Sequence, residues 1–196
     1  MDCWDDSIGY PVVYHGFRGG YTFTSKIPFQ AIIACVKAFL VAHPDTLPII
    51  LSLENHCSPP FQEMMAVILK NTLEEHVFSP ENFYHWPSPL DLLGKVILKG
   101  RISHADDYYD SISLHQTFSS TMTPGNAPDN PYPETAPRLS RMILLNGVHF
   151  SSLDASLDLP YTDMHSYNED KFLKVLNKTP ANVSRLKEFN TQHFTR

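Results

Sequence analysis

The chain has 196 residues, 42% of them hydrophobic and 18% charged, and its formal net charge at pH 7 is −6. A chain of this length and apolar content can bury a core, which excludes a protein that is disordered throughout. The acidic balance argues against a general nucleic-acid binder, because such proteins present an excess of Lys and Arg to phosphates. We therefore expect a folded protein that has no nucleic acid as its partner.

The cysteines and the apolar segments predict a cytoplasmic protein without a transmembrane segment. Cys3, Cys35 and Cys57 are odd in number and lack CxxC spacing, which favours neither a disulfide framework nor a thiolate zinc site. The most apolar window, residues 31–42, contains Lys37. It also falls short of the roughly 20 residues that span a bilayer. The N-terminus lacks the basic-then-apolar pattern of a signal peptide.

Short β-rich runs alternate with amphipathic helical patterns in the first half of the chain. The predicted elements, in chain order, are a strand over 11–14, a helix from 28 to 43, a strand over 49–53, a helix from 60 and a strand over 96–98. Strands alternating with helices of this length predict a parallel α/β sheet, open or closed into a barrel. The expected unit is β-α-β-α-β.

The composition changes after this unit. Residues 103–137 contain an acidic stretch, a Ser/Thr run and repeated prolines, which cannot bury enough apolar surface to offset chain entropy. We interpret them as a flexible linker. A strand is expected over 142–145, followed by helical patterns around Phe172 and Val183. Both ends of the chain look cut, so we expect a piece of a longer protein.

Polar side chains follow the predicted strands in a regular way. His15 follows the first strand, Glu54 the second and Lys99 the third. In parallel α/β proteins the working groups gather at the carboxyl edge of the strands. Taken singly, the three have ordinary interpretations as a loop histidine, a helix-capping glutamate and an exposed lysine. Their joint occurrence favours one site, to which Asp2 could supply a second carboxylate.

The residue types in this site indicate phosphodiester chemistry. Carboxylates such as Asp2 and Glu54 suit calcium or magnesium rather than zinc. His15 could exchange a proton with a leaving group near neutral pH. Lys99 and Arg101, two residues apart on a strand, can point to the same side and bind phosphate.

The other histidines are assigned no role from the sequence. His56, two residues after Glu54, is as compatible with packing as with function. No ligand spacing relates the remaining candidates, which are His104, His115, His149 and His165. The chain also lacks a P-loop, a GxSxG elbow and an HExxH motif.

A series of segments resembles, in order and approximate spacing, the X region of eukaryotic phosphoinositide-specific phospholipase C. They are DCWD at 2–5, PVVYHG at 11–16, YTFTSKIPF at 21–29, LSLENHCS at 51–58, PSP at 87–89 and GKVILKG at 94–100. A weaker likeness to the start of the Y region follows, at 139–142, 165–169 and 189–196. The resemblance thus covers nearly the whole chain outside the linker.

The resemblance implies part of a distorted TIM-type (β/α)8 barrel interrupted by a flexible X/Y linker. The regions are then 1–102 for the C-terminal part of the X half-barrel, 103–137 for the linker and 138–196 for the start of the Y half-barrel. It also implies Ca²⁺-dependent hydrolysis of phosphatidylinositol 4,5-bisphosphate to diacylglycerol and inositol 1,4,5-trisphosphate in intracellular signalling. Such an enzyme would act peripherally on membranes, with a phosphoinositide headgroup as its partner.

The resemblance also implies a role for each candidate residue. Asp2 and Glu54 match calcium ligands, and His15 matches the catalytic histidine that protonates the diacylglycerol leaving group. Lys99 matches a lysine that holds a ring phosphate. Arg101 stands where the family usually has a second such lysine, and arginine can bind phosphate through two nitrogens.

The chain departs from the family pattern at several points. The family's other catalytic histidine, its adjacent asparagine and a ligand glutamate match nothing in the chain, nor does the distal Y region. Three residues, equivalent to 17–19, are inserted beside His15. The insertion motivates an alternative: a catalytically inactive phospholipase C-like scaffold that binds inositol phosphates or partner proteins. We expect no useful catalysis from the 196 residues by themselves.

Overall fold

The computed structural model describes most of the first half of the chain and shorter parts of the second. The described residues are 1–16, 24–80, 87–103, 134–150, 155–156, 159–160 and 162–166. The chain divides into two compact units, Met1–Leu144 and Leu145–Arg196. The predicted insertion at 17–19, most of the predicted linker and the helical patterns around Phe172 and Val183 lie outside the described residues.

The first unit contains most of the described elements. They are β1 (Asp2–Trp4), β2 (Val12–Val13), β3 (Ile27–Pro28), α1 (Phe29–Ala42), β4 (Ile49–Ser52), β5 (Glu54–Asn55), α2 (Pro59–Leu73), a 3-10 turn (Glu74–His76), β6 (Val96–Gly100) and α3 (Pro137–Ser140). Strand β7 (Ile143–His149) begins in the first unit and continues into the second, which also contains β8 (Asp163–Ser166).

The first sheet has the strand order β3-β2-β1-β5. Strand β1 pairs in parallel with β5 but antiparallel with β2, and β2 pairs antiparallel with β3. The prediction that residues 11–14 form a parallel strand of a β-α-β unit is therefore wrong. The segment between Trp4 and Val12 is too short for a parallel crossover, which needs about a dozen residues or more, so the chain turns back as a hairpin.

Strands β4 and β6 form the parallel pair that the sequence predicts. Their register places Ile50 opposite Ile97, Leu51 opposite Leu98 and Ser52 opposite Lys99. Burial alternates along β4 and into the next residue: Leu51 and Leu53 are buried, whereas Ile50 and Ser52 are exposed. One face of this pair therefore packs into the core, and Ser52 and Lys99 lie on the other.

The two long helices cover the buried face of the strands. Helix α1 buries Phe29, Ile33 and Leu40, which recur at helical spacing, and it ends before His43, which precedes a proline. Helix α2 starts with two prolines, which suit a first turn because their missing N–H groups would have no helical partner there. Both helices contribute to one core cluster with Leu51, Val96 and Leu98. No helix among the described residues is long and apolar enough to cross a membrane.

A buried polar network joins residues on either side of the predicted linker. Gln62 of α2 is fully buried, donates to the carbonyl of Cys57 at 2.9 Å and accepts from the backbone N–H of Ala136 at 2.6 Å. The Ser103 hydroxyl accepts from the N–H of Thr135 at 2.7 Å, and the N–H of Ser103 donates to the Ser140 hydroxyl at 2.9 Å. Ser103 and Thr135, on either side of the predicted linker, are therefore direct neighbours.

Candidate functional site

The two candidate carboxylates are brought together by strand pairing. Asp2 of β1 lies directly opposite Glu54 of β5 in a parallel pair, and the N–H of Glu54 donates to the carbonyl of Met1 at 2.9 Å. Paired residues in a sheet point to the same face, so the two side chains share one side. Glu54 does not cap the following helix, since α2 begins after Ser58. Asp2 and Glu54 are therefore direct neighbours in the fold, although they are far apart in the sequence.

His15 contacts one of these carboxylates. Its Nδ1 lies 2.9 Å from Asp2 Oδ2, and its backbone N–H donates to the Thr24 hydroxyl at 3.0 Å. The His15 side chain is 78% exposed, whereas that of Asp2 is 26% exposed. A carboxylate accepts hydrogen bonds only, so Nδ1–H donates to it and Nε2 is the ring nitrogen available for proton exchange. The hairpin formed by β1 and β2 positions His15, rather than the edge of a parallel strand.

The second carboxylate also has a histidine partner, which the sequence analysis left without a role. His56 Nε2 lies 3.2 Å from Glu54 Oε1. The His56 ring stacks on Trp4, with centroids 4.0 Å apart, and Trp4 also stacks on Tyr14 at 5.4 Å. The available signal was the spacing of two between Glu54 and His56, which in an extended segment places both side chains on one face.

The candidate phosphate-binding residues lie on β6 and just after it. Lys99 is the register partner of Ser52, two residues before Glu54, and the N–H of Leu53 donates to the Lys99 carbonyl at 2.8 Å. Lys99 is half-buried, and Arg101 is exposed just beyond the end of β6. The structure thus places Lys99 beside β4, the strand that leads into Glu54, whereas Asp2 and Glu54 pair in the other sheet.

An ion pair supports the hairpin beside this site. Lys26 Nζ lies 2.8 Å from Asp6 Oδ1 and 5.3 Å from the centroid of the Tyr14 ring. The hydrogen bond from Lys26 lowers the pKa of Asp6, and the same bond raises the pKa of Lys26. Burial raises the pKa of Tyr14, which keeps its hydroxyl protonated at neutral pH. The Tyr14 ring, which precedes His15 in the chain, is therefore held in place by both Trp4 and Lys26.

The two carboxylates could supply only part of the ligands that a calcium ion takes. Calcium takes six to eight oxygen ligands, whereas Asp2 and Glu54 together offer at most four carboxylate oxygens. Within the described residues, no group of three or more His, Cys, Asp or Glu side chains is arranged to hold a metal ion. The two carboxylates fit a calcium site by chemistry and by their shared face, and the remaining oxygens would come from other groups or from water.

A parallel strand pair covered by two helices, with two neighbouring carboxylates that each contact a histidine, is typical of an α/β protein with a candidate site at the strand ends. Residues 1–102 match the family model "Phosphatidylinositol-specific phospholipase C, X domain". This match covers more than half of the chain, so the chain belongs to that family, as its motifs predict.

Characterised relatives agree with this assignment. The chain is 43% identical over 104 residues to the 1-phosphatidylinositol 4,5-bisphosphate phosphodiesterase zeta-1 of Mus musculus, an alignment that covers 52% of the chain and 15% of that protein. It is 30% identical over 206 residues to the delta-1 enzyme of Rattus norvegicus, with 91% of the chain and 26% of that protein covered. The chain thus spans about a quarter or less of these relatives.

A solved structure shows the same fold. The crystal structure of S. officinalis PLC21 superposes with a TM-score of 0.68 at 23% identity, covering 93% of this chain and 23% of that one. The predicted α/β class, as part of a TIM-type barrel, is confirmed. The division into two half-barrels and a linker stays a prediction.

Proposed function

We propose that the protein containing this chain hydrolyses phosphatidylinositol 4,5-bisphosphate to diacylglycerol and inositol 1,4,5-trisphosphate in a calcium-dependent reaction. The observation that carries the proposal is the His15–Asp2 pair, 2.9 Å apart, beside the register partner Glu54. The relatives are named as 1-phosphatidylinositol 4,5-bisphosphate phosphodiesterases, which supports this choice of substrate. The protein would be cytoplasmic and act peripherally on membranes, with the X half-barrel at 1–102, the linker at 103–137 and the start of the Y half-barrel at 138–196.

Asp2 and Glu54 would hold the calcium ion. Oδ2 of Asp2 accepts from His15, which leaves Oδ1 for the metal, and Glu54 Oε1 lies against His56, which leaves Oε2. When bound, calcium would stabilise negative charge on the phosphoryl group and make a coordinated hydroxyl more acidic. Each carboxylate can thus contact a histidine and a metal at once.

His15 would act as the general acid. Its Nδ1–H bond to Asp2 holds the ring in one orientation and stabilises the imidazolium form, so that Nε2 can donate a proton to the departing diacylglycerol oxygen. The high exposure of the ring makes it accessible to a lipid headgroup. Proton donation as the P–O bond breaks avoids release of a strongly basic alkoxide.

Lys99 and Arg101 would bind the ring phosphates. Both carry positive charge, and Lys99 pairs with Ser52, two residues before Glu54, so phosphates held there would place the scissile phosphodiester towards the carboxylates. Arg101 in place of the usual lysine can form two parallel hydrogen bonds to one phosphate. We expect this pair to fix the orientation of the headgroup.

The test uses the full-length protein with vesicles that contain phosphatidylinositol 4,5-bisphosphate, and it measures release of inositol trisphosphate against free calcium. Wild type is expected to release it only with calcium, His15→Ala to lose at least 10²-fold in turnover, and His43→Ala, an exposed histidine on another surface, to match wild type. Headgroup binding without calcium-dependent release would favour the inactive scaffold instead. Wild-type turnover in His15→Ala would refute the assignment of the acid.

A further inference from the structure

We infer that His56 is a positioning residue that orients the Glu54 carboxylate for calcium, and that Trp4 fixes His56 in place. The inference rests on the proposed function, because it assumes that Glu54 is a calcium ligand. It assigns to His56 and Trp4 a role that their sequence positions alone do not reveal. His56 does not touch the substrate and is not a catalytic residue.

The first step is the hydrogen bond itself. Glu54 is 69% exposed at its side chain, and a glutamate on the surface of a strand samples several rotamers. His56 Nε2 lies 3.2 Å from Glu54 Oε1, and the His56 side chain is only 17% exposed. A nearly buried donor thus holds one oxygen of a mobile carboxylate and leaves the other for a metal.

The second step is the polar environment of His56. Its Nδ1 is buried and has no hydrogen-bond partner among the described residues. A histidine that serves only the core usually has its buried polar atoms satisfied, because an unmade bond costs stability. Within the described part of the chain, the contact of Nε2 with Glu54 is the only polar contact of the His56 ring. That pattern suits an orienting role better than a packing role.

The third step is the platform behind the ring. Trp4 is 8% exposed, and its ring lies 4.0 Å from that of His56 with an interplanar angle of 14°. The N–H of His56 donates to the carbonyl of Cys3 at 2.9 Å, so its backbone is also fixed to β1. Two residues along the chain from Asp2 and Glu54 respectively, Trp4 thus supports His56 as a rigid surface.

Each of the two carboxylates therefore has one oxygen in contact with a histidine. His15 holds one oxygen of Asp2, and His56 holds one oxygen of Glu54. The histidines differ in exposure, at 78% for His15 and 17% for His56. The exposed ring can meet a substrate, whereas the shielded ring can only act on its carboxylate. Residues that orient metal ligands typically contribute about 10–100-fold to metal affinity.

The test measures metal binding directly in the full-length protein, by terbium luminescence excited through tryptophan and competed with calcium. Glu54→Gln supplies the reference for loss of this site against any other calcium sites. His56→Ala should weaken binding at the Glu54 site by about 10–100-fold. His56→Gln, which keeps an N–H donor, should recover most of the affinity. His56→Phe keeps a ring on Trp4 but no donor, and should bind as weakly as His56→Ala.

A second readout separates positioning from general damage. At saturating calcium, His56→Gln and His56→Ala should approach wild-type turnover with an unchanged KM for lipid, because His56 does not touch the substrate. If Glu54→Gln removes the signal but all His56 variants bind like wild type, the positioning role is wrong and the proposed function stands. If Glu54→Gln itself leaves binding unchanged, both the positioning role of His56 and the proposed role of Glu54 in binding calcium are wrong. Should His56→Ala not fold, the contrast between the Gln and Phe variants decides.

Discussion

Asp2 and Glu54 are direct partners in a parallel strand pair, although 51 residues separate them along the chain. Their like charges on one face repel each other unless a cation or proton lies between them. The histidine contacts at 2.9 Å and 3.2 Å relieve part of that repulsion. This juxtaposition supports the proposal that the pair binds a cation.

The contact between His15 and Asp2 predicts strongly non-additive effects on turnover. Asp2→Asn keeps an acceptor for the ring but removes the charge that stabilises the imidazolium form. We expect Asp2→Asn and His15→Ala each to lower turnover by about 10²–10⁴-fold. The double variant should be hardly slower than the worse single variant, because residues that act as a unit are not additive. The measurement is turnover on lipid vesicles at saturating calcium.

The control for this cycle is Asp45→Asn, an exposed carboxylate in the loop after α1, which should leave turnover unchanged. Multiplicative losses in the double variant would show that Asp2 and His15 act independently. That outcome would contradict the coupled pair.

The sequence predicts those elements whose evidence is local. The sequence predicts strands β4 and β6 and both long helices correctly, because apolar residues repeat with the right period over many positions. The direction of β2 is not encoded in that periodicity, and only the short connection from β1 indicates a hairpin. The three residues of β1 are too few for any periodic signal. Periodicity therefore predicts elements better than their pairing.

The candidate site shows the same limit. The sequence picks out the residues His15, Glu54 and Lys99 by their positions after strands, and the structure puts Asp2 against both His15 and Glu54. The stacking of His56 on Trp4 depends on register between distant strands, which no local pattern contains. Gln62 is similar, because its partner Ala136 is 74 positions away.

Gln62 predicts a large loss of stability for a change that keeps its volume. Gln62→Leu leaves the buried carbonyl of Cys57 and the N–H of Ala136 without their partners. We expect the free energy of unfolding to fall by about 2–4 kcal/mol, because each buried unpaired group costs about 1–3 kcal/mol. Urea denaturation measures the change. Gln30→Leu, at an exposed position of α1, should change stability by less than about 0.5 kcal/mol, and equal effects of the two variants would argue against the buried network.

Two glycines with positive φ form a matched pair. Gly94 has φ +65°, and a Cβ there would lie 2.6 Å from the Pro44 carbonyl oxygen, whereas Gly9 has φ +85° and nothing within 4 Å of such a Cβ. Gly9→Ala should cost about 1 kcal/mol from backbone conformation alone. Gly94→Ala should cost about 3 kcal/mol or more, because the loop after α1 must also move. Chemical denaturation of both variants tests this, and a Gly94→Ala variant no less stable than Gly9→Ala would contradict the close approach.

The cysteines predict selective chemical labelling. Cys35 is exposed, whereas Cys3 and Cys57 are buried. Burial raises the pKa of Cys3 to about 12 and raises the pKa of Cys57 even further. Iodoacetamide reacts with thiolates, so a brief treatment of the native protein at pH 8 should label Cys35 and spare the other two. Peptide mass spectrometry measures the labelling, and rapid modification of Cys3 in folded protein would contradict its burial.

The same shift makes stability depend on alkaline pH. The folded state keeps the Cys3 thiol protonated up to about pH 12, whereas the unfolded chain ionises it from its ordinary pKa near 9.0. Stability from this thiol is therefore complete below pH 9 and is lost progressively as the pH rises towards 12. The urea midpoint of wild type should fall between pH 8 and pH 10.5 more steeply than that of Cys3→Ala, which lacks the titrating group. Parallel curves for the two proteins would show that Cys3 ionises equally in both states.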